Sequence, residues 1–341
     1  PEDGYHGEDV KEIAVSLAKA NQDAYAEETE ENLAFFKQKG IEFELEKIRK
    51  DLDYYRVHFD VWSSEQAIRD ADKVEAALEV LKEKGLTYEK EGALWFETTR
   101  FGDDKDRVLR KTDGSYTYLV PDIAYHKDKM DRGYDLLVDF FGADHHGYVP
   151  RLKASIAALG NDPERLAVDI IQMVRLVENG QEVKMSKRLG NAVTIRELCD
   201  EVGVDAARYF FVQRALDTHL DFDLGLARSQ SNDNPVYYAQ YAHARMCSIL
   251  RQAQDVPEAS SYERLTHEKE ADLMKYINEF TSVVSEAARL RAPHKVCNYI
   301  QKLAQKFHSF YNACKVIDRE DMELSAQRLD LVKAARITLG N

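Results

Sequence analysis

A strand–helix–strand pattern in the middle of the chain limits its fold more than any other feature. An apolar run at 136–141 ends at Gly142, a helical pattern covers about 148–159, and a second apolar run follows at 167–177. Parallel strands cannot be joined by a tight turn and need a crossover, which is usually a helix. This order therefore predicts parallel strands and half of a doubly wound α/β fold.

The segments on either side of this pattern are mainly helical. Apolar positions at helical spacing predict helices at 7–20, 24–38, 64–84, 224–253, 262–291, 293–316 and 325–339. A further helix begins at Thr194, with Glu197 at the capping-box position. A β-rich stretch with hairpin character covers 93–120 and ends in a predicted aromatic strand at 116–120. The chain is thus predicted to combine α/β and all-α parts.

Composition favours a globular chain. With 341 residues and 44% hydrophobic content, the chain can bury a core and is long enough for two or three domains. The sequence contains no apolar run of membrane-spanning length and no charged-then-apolar leader, so we expect a cytoplasmic protein without a membrane partner. The scattered cysteines form no CxxC pair, which argues against a disulfide framework and a structural zinc site.

Charge is distributed unevenly along the chain. The net charge is −14, yet residues 281–315 hold one acid against six bases, whereas residues 1–53 hold 15 acids against 7 bases. Phosphate neutralisation by Lys and Arg supplies most of the affinity of nucleic-acid binders, so the basic stretch is a candidate RNA surface. A solvated helix face explains the same charge pattern, and both interpretations remain open.

A basic loop at 184–191 reads Lys-Met-Ser-Lys-Arg-Leu-Gly-Asn, between a predicted strand and a capped helix. Two ammonium groups and a guanidinium suit a triphosphate from which pyrophosphate departs, because fixed cations stabilise the charge that grows in the transition state. The loop matches the KMSKS-type signature of class I aminoacyl-tRNA synthetases. A match of five residues can also be a solvated basic turn.

A second candidate site, 141–148, reads Phe-Gly-Ala-Asp-His-His-Gly-Tyr and directly follows the first predicted strand. Ligands of open α/β sheets lie at the carboxyl ends of strands, where glycine allows close approach and Asp and His supply hydrogen bonds. Asp144 could instead cap the following helix. A metal site formed by Asp144, His145 and His146 is disfavoured, because neighbouring residues rarely all face one ion.

A third candidate is the pair of Tyr118 and Asp122. A carboxylate beside an aromatic ring at a strand end can hold a guanidinium by a bidentate ion pair and a stacked or hydrogen-bonded ring. A tyrosine-rich strand is also typical of an ordinary core.

These three segments, in this order, resemble bacterial-type arginyl-tRNA synthetases. The resemblance extends over nearly the whole chain and includes 172–175, 206–211, 219–223, 231–238 and 240–245. It implies a fold with the second half of a Rossmann-like class I nucleotide-binding sheet, a mostly helical insertion, and a helical-bundle anticodon-binding domain. The implied domains are the insertion at 1–92, the catalytic half at 93–223, and the anticodon-binding domain at 224–341.

The resemblance also implies roles for individual residues. Those implied to act in catalysis are Lys184, Ser186 and Lys187. Those implied to bind ATP are Gly142, Asp144, His145, Gln172, Met173, Val174, Lys184 and Lys187. Those implied to bind arginine are Tyr118, Asp122 and His146. Those implied to contact the tRNA anticodon are Tyr237, Tyr241, Ala244 and Arg245.

The implied activity is arginine–tRNA ligation, in which ATP with Mg²⁺ activates arginine and the arginyl group passes to tRNA(Arg). ATP is a substrate here, and neither a tightly bound metal nor an organic cofactor is expected. The implied partners are tRNA(Arg), arginine and ATP, and we expect a monomer.

One departure from the family pattern matters. The HxGH-type motif of class I synthetases does not occur in this sequence, so we expect a partial enzyme without the amino-terminal region, with little activity by itself. An alternative hypothesis is an RNA-binding module derived from a synthetase but without catalysis. A class I synthetase for another amino acid is a third hypothesis, which the Tyr118/Asp122 pair disfavours because that pair suits a cationic side chain.

Overall fold

The computed structural model describes residues 7–21, 25, 27–183 and 193–341. The α-helices within these ranges are α1 (Glu8–Asn21), α2 (Glu30–Tyr54), α3 (Glu65–Asp70), α4 (Lys73–Glu83), α5 (Leu119–Asp131), α6 (Val149–Ala158), α7 (Ile195–Val202), α8 (Val204–Val212), α9 (Leu224–Arg228), α10 (Pro235–Gln252), α11 (Glu268–Asn278), α12 (Phe280–Leu290), α13 (His294–Ala313) and α14 (Met322–Gly340). In this part of the chain, no helix is both long enough and apolar enough to cross a membrane.

The strands are β1 (Thr87–Lys90), β2 (Ala93–Phe96), β3 (Arg107–Arg110), β4 (Leu137–Gly142), β5 (Leu166–Ile171), β6 (Val174–Glu178), β7 (Gln181–Glu182) and β8 (Leu220–Asp223). Short 3₁₀ helices occupy Thr98–Phe101, Ala143–Tyr148 and Pro163–Arg165. The strands form an antiparallel sheet in the order β1-β2-β3, a parallel pair β4-β5, and a mixed sheet in the order β7-β6-β8.

The chain forms two compact units. The first, here called the hairpin unit, contains 59–173 and 216–219, and the second, the bundle unit, contains the described residues within 1–58, 174–215 and 220–341. Compact units follow spatial contacts and need not be continuous in sequence. The division into domains at 1–92, 93–223 and 224–341 therefore stays a prediction.

The parallel pair of the hairpin unit confirms the predicted crossover. Leu137 of β4 pairs with Leu166 of β5, and α6 connects the two strands. Leu152 and Ile156 of α6 are buried against the same two strand residues. Burial of one apolar helix face against parallel strands is the packing that the strand–helix–strand pattern requires.

The second predicted apolar strand is wrong as a single element. β5 ends at Ile171, and β6 begins only at Val174, where it pairs with Leu220 of β8 in the bundle unit. The backbone N–H of Gln172 donates to the carbonyl of Leu216 over 2.9 Å, so Gln172 leaves the β4-β5 ladder. A continuous apolar run could not reveal this change of partner, because both strands have similar composition.

The predicted strand at 116–120 is also wrong. Tyr116 makes one isolated bridge with Arg110, and α5 begins at Leu119. Pro121 lies in the first turn of this helix, where the backbone N–H groups need no intrahelical partner and proline is tolerated. Tyr118 and Asp122 therefore lie one helical turn apart at the start of a helix instead of at a strand end.

Local signals for helix ends predicted some boundaries better than others. The predicted helix at 64–84 is capped by Ser64 and followed by Gly85, but Asp72 adopts a left-handed conformation with φ 53° and divides it into α3 and α4. The predicted capping box of Thr194 and Glu197 is confirmed at the start of α7. The helix predicted at 24–38 is instead α2, which extends to Tyr54.

The helical part of the bundle unit has a continuous apolar core. Two predicted helices, 224–253 and 262–291, are each divided, into α9 and α10 and into α11 and α12. Asn234 accepts hydrogen bonds from the start of α10 and so ends the irregular segment before it. The fully buried residues at the centre include Ala242, Met246, Leu273, Leu303, Ala304, Phe307, Phe310, Val332 and Ala335.

This core predicts a large effect of truncation at its centre. Leu303→Ala should lower the free energy of unfolding by about 2–5 kcal/mol, because truncation of a buried leucine removes apolar surface from the core and leaves a cavity. Leu290→Ala is the matched control, since Leu290 on α12 is 44% exposed, and it should change stability by less than about 0.5 kcal/mol. Chemical denaturation measures both. Equal effects of the two substitutions would contradict the assignment of the core.

Candidate functional site

A cavity in the hairpin unit brings several of the predicted residues together. Its volume is about 1110 Å³, and its walls come from β3, β4, α5, the 3₁₀ helix at 143–148 and the start of α6. The predicted residues on its walls are Tyr118, Asp122, Gly142 and His145. The cavity lies at the carboxyl end of β4, which is where open α/β folds bind ligands.

Asp122 is the acidic centre of one wall. The hydroxyl of Tyr148 donates a hydrogen bond to Asp122 Oδ2 over 2.6 Å. Burial raises the pKa of Tyr148 and this hydrogen bond raises it further, so the phenol stays protonated and remains a donor. The guanidinium of Arg151 lies over the Tyr148 ring, 4.9 Å from its centroid. Tyr148 is the last residue of the candidate segment 141–148 but was given no role there, and Arg151 was not among the predicted site residues.

A buried ionic network lies next to Asp122. His126 Nε2 lies 2.6 Å from Asp139 Oδ2, and Lys129 Nζ donates to Asp139 Oδ1 over 2.6 Å. Burial alone would raise the pKa of Asp139, but the hydrogen bonds from His126 and Lys129 outweigh burial and lower the pKa. His126 Nδ1 donates to the backbone carbonyl of Asp122 over 2.7 Å. The network therefore ties the strand β4 to the first turns of α5.

The segment after β4 places its polar side chains differently from the prediction. Asp144 and His146 are exposed and do not line the cavity, whereas His145 does. Asp144 makes no cap hydrogen bond, so its predicted capping role is wrong, and Gly142 occupies the cap position. A Cβ atom on Gly142 would lie 2.7 Å from Asp144 Oδ1, but this oxygen belongs to an exposed side chain that can rotate away, and Gly142 has an extended backbone with φ −64°.

Other predicted residues do not line this cavity. Gln172 and Met173 do not line it, and Met173 is 71% exposed. Val174 begins β6 in the bundle unit. Lys184, Ser186 and Lys187 lie outside the described residues.

An aromatic stripe on the bundle unit contains most of the predicted anticodon residues. The rings of Tyr237 and Tyr241 on α10 stack at 6.2 Å, and Tyr241 stacks on His308 of α13 at 5.8 Å. Arg245 Nη2 donates to the Tyr311 hydroxyl over 2.8 Å, and the guanidinium lies 4.8 Å from the Tyr311 centroid. Successive α10 members are four residues apart, so they share one helix face.

Two members of this stripe, His308 and Tyr311, were missed by sequence reasoning. Their three-residue spacing on α13, within the basic stretch 281–315, is the signal that could have identified them. Burial lowers the pKa of His308, and the nearby charge of Arg245 lowers it further, which keeps the ring neutral. Ala244 instead lines a cavity of about 810 Å³ on the neighbouring face, together with Gln240 and His243.

The bases of the stretch 281–315 are partly neutralised by acids. Lys295 pairs with Glu286, Lys306 with Asp272, and Lys315 with Asp318. Exposed pairs of this kind contribute little to stability. The aromatic stripe is therefore a better candidate for an RNA surface than the net charge of the stretch.

Comparison with known proteins decides the family. The model of the class I (R) tRNA synthetase catalytic domain matches residues 10–218, and that of the DALR anticodon binding domain matches 239–341. The chain belongs to the arginyl-tRNA synthetase family. Its fold is accordingly a class I synthetase catalytic domain followed by a helical DALR domain.

Individual members of the arginyl-tRNA synthetase family support this assignment. The arginine–tRNA ligases of Bacillus licheniformis and Bacillus subtilis are each 58% identical over the whole chain. The chain spans 62% of the length of these relatives. The Campylobacter jejuni arginyl-tRNA synthetase structure matches with a TM-score of 0.89 and 34% identity, covering 100% of this chain and 76% of that one. The Thermus thermophilus arginyl-tRNA synthetase shares the fold, with a TM-score of 0.76 at 22% identity, covering 96% of this chain and 66% of that one.

The buried network predicts a pH-dependent contribution to stability. Because the folded-state pKa of Asp139 is lowered, its contribution is complete well above the unfolded-state value of about 3.9 and is lost as pH falls through the folded-state pKa. Asp139→Asn should therefore cost about 1–3 kcal/mol at pH 7, and less below about pH 4.

Denaturation at a series of pH values measures this difference. The matched control is Asp131→Asn, which disrupts an exposed ion pair between Asp131 and Lys127, both on α5. This substitution should lower the free energy of unfolding by less than about 1 kcal/mol at every pH. A cost for Asp139→Asn that did not change with pH would contradict the ionic role of Asp139.

Proposed function

We propose that this chain carries arginine recognition and anticodon recognition for an arginine–tRNA ligase of the cytoplasm. The enzyme would use ATP with Mg²⁺ to form arginyl-adenylate and would then transfer the arginyl group to tRNA(Arg). The observation that carries the proposal is Asp122, an acid on the wall of a large cavity beside a phenol that donates to it, in a chain of the arginyl-tRNA synthetase family.

The chemistry of the cavity suits a guanidinium. A carboxylate binds a guanidinium through two parallel hydrogen bonds, and this geometry distinguishes arginine from the compact ammonium of lysine. Tyr118 lies on the same wall as Asp122 and offers an exposed ring and hydroxyl. We propose that Asp122 and Tyr118 bind the substrate guanidinium, and that His145 and Gly142 contribute to the nucleotide side of the cavity.

Activation requires placement and charge neutralisation more than covalent help. The arginine carboxylate would attack the α-phosphorus of ATP, and pyrophosphate would leave with its electron pair on the bridging oxygen. We propose that Lys184 and Lys187 neutralise the departing pyrophosphate and that Ser186 hydrogen-bonds to it. Gln172, Met173 and Val174 remain proposed contacts of ATP, as does Asp144, while His146 remains a proposed contact of arginine.

The bundle unit would hold the anticodon loop. Exposed bases stack on aromatic side chains, and arginine adds both charge and a planar surface. Tyr241 is 44% exposed and lies between Tyr237 and His308 in the stripe, so a base can stack beside it. We propose Tyr237, Tyr241 and Arg245 as anticodon contacts, with Ala244 on the neighbouring face.

An RNA-binding module without catalysis is a second candidate function. It is favoured by the aromatic stripe, which lies wholly within the bundle unit and needs nothing from the cavity of the hairpin unit. An ATP–pyrophosphate exchange assay with arginine and tRNA distinguishes the two functions. Arginine-dependent exchange supports the ligase, whereas tRNA binding with neither exchange nor L-arginine binding leaves only the module.

Replacement of the proposed guanidinium ligand tests arginine recognition. Asp122→Ala should weaken L-arginine binding at least about 100-fold, since it removes the charged partner of a bidentate pair. Isothermal titration calorimetry measures the affinity, with L-citrulline as a neutral isostere that wild type should bind far more weakly. The control is Asp135→Ala, at an exposed acid of the same unit that does not line the cavity. Undiminished arginine binding by Asp122→Ala would overturn the assignment of this residue.

Replacement of the stripe arginine tests anticodon recognition. Arg245→Ala should weaken binding of tRNA(Arg). It should also reduce the slope of the logarithm of the affinity against the logarithm of the salt concentration by about one, as expected for one lost phosphate contact. Arg251→Ala, at an exposed position near the end of the same helix, is the control and should leave both quantities near wild type. Filter binding over a range of salt concentrations gives the affinity and its slope. Equal losses in both variants would show non-specific attraction instead of a contact.

A further inference from the structure

The hydrogen bond between Tyr148 and Asp122 joins two segments of the proposed arginine site. Asp122 lies in the first turn of α5, and Tyr148 ends the 3₁₀ helix after β4. We propose that Tyr148 is a positioning residue that fixes the Asp122 carboxylate for bidentate capture of the substrate guanidinium and so sets the preference for arginine over lysine. This inference rests on the proposed function and deepens it.

The geometry of the contact leaves the carboxylate available to a ligand. Tyr148 donates to Oδ2 alone, over 2.6 Å, and each carboxylate oxygen can accept more than one hydrogen bond. A guanidinium fork can therefore bind both oxygens while the phenol stays in place. Because the phenol donates a hydrogen bond to one carboxylate oxygen, it restrains the rotation of the carboxylate plane. A bidentate pair with a guanidinium depends on the orientation of that plane.

The Tyr148 ring is itself restrained. Arg151 covers one face of the ring at 4.9 Å, and Tyr148 packs edge-on against Phe141 with centroids 6.3 Å apart. The buried Nε of Arg151 has no hydrogen-bond partner among the described residues, so stacking is the contact that accounts for its position. A phenol restrained by two neighbouring side chains loses little further freedom when it donates to Asp122, which favours a preorganised site.

The backbone of Asp122 is restrained separately. Its carbonyl accepts a hydrogen bond from His126 Nδ1 over 2.7 Å, and His126 is fixed in turn by Asp139. The main chain of Asp122 is thus restrained by a hydrogen bond from His126, and its side chain is restrained by a hydrogen bond from Tyr148. Tyr118, by contrast, is 90% exposed, so its phenol cannot fix the carboxylate in this structure.

An ordinary packing role for Tyr148 predicts a different outcome from a positioning role. Loss of packing lowers thermal stability and weakens every ligand of the cavity by a similar factor. Loss of positioning leaves the fold intact and weakens the ligand that needs a fixed carboxylate plane, which is arginine. Lysine presents a compact ammonium whose hydrogen bonds rotate freely, so its binding depends much less on that plane.

The test uses Tyr148→Phe, which keeps the ring and its contacts with Arg151 and Phe141 and removes only the hydroxyl. Isothermal titration calorimetry of the chain with L-arginine and with L-lysine, together with the thermal midpoint, gives the affinities and the stability. We expect arginine to bind about ten-fold more weakly, lysine to change less than about two-fold, and the arginine-to-lysine preference to fall accordingly. Tyr134→Phe, at an exposed tyrosine of the same unit outside the cavity, should match wild type.

Two results would overturn the inference. Unchanged arginine affinity in Tyr148→Phe would show that the hydroxyl does not position Asp122, and equal losses for arginine and lysine would show a packing role. The Asp122→Ala variant in the same series separates this failure from failure of the proposed function. If Asp122→Ala loses arginine while Tyr148→Phe does not, the site stands and only the positioning role is wrong; if Asp122→Ala retains arginine, both are wrong.

Discussion

The arrangement of the hairpin unit depends on the charged hydrogen bonds that the buried carboxylate of Asp139 accepts. It lies on β4 and accepts hydrogen bonds from His126 and Lys129 of α5, all three side chains being largely buried. A buried carboxylate is costly unless it is fully paired, so these contacts fix the helix against the strand. His126 also donates a hydrogen bond to the backbone carbonyl of Asp122, so the same network restrains this residue. The position of Asp122, the proposed guanidinium-binding residue, therefore depends on an ionic network whose three residues line the same cavity.

The bundle unit uses a different kind of restraint. Its apolar core of α10, α11, α13 and α14 fixes the spacing between the helices that display the aromatic stripe. Arg245 is held against Tyr311 by both a hydrogen bond and ring stacking, which reduces the freedom that it would lose on binding RNA. Each unit thus carries one of the two proposed binding surfaces, supported by its own packing. The two family matches divide the chain differently, because the catalytic match at 10–218 includes the hairpin unit and also residues 10–58 and 174–215 of the bundle unit.

Periodicity and short motifs predicted the fold class and four residues that line one cavity, Tyr118, Asp122, Gly142 and His145, but they could not predict several other placements. The crossover between β4 and β5 and the capping box at Thr194 followed from local patterns, because local sequence determines both. The strand at 116–120 failed because alternating tyrosines favour a strand while Pro121 is also compatible with a first helical turn. The partnership of Asp122 with Tyr148 spans 26 residues and depends on how α5 packs, which no single-sequence period reports. The same holds for His308 opposite Tyr241.

We propose that Asp122, a residue that Tyr148 and His126 hold in place, binds the substrate guanidinium through its carboxylate. A crystal structure of the chain with bound L-arginine tests this claim most directly. We expect a guanidinium with two nitrogens within about 3 Å of the Asp122 oxygens, and Tyr148 still donating to Oδ2. Arginine density elsewhere in the cavity, or an Asp122 side chain turned away from Tyr148 to meet the ligand, would contradict it.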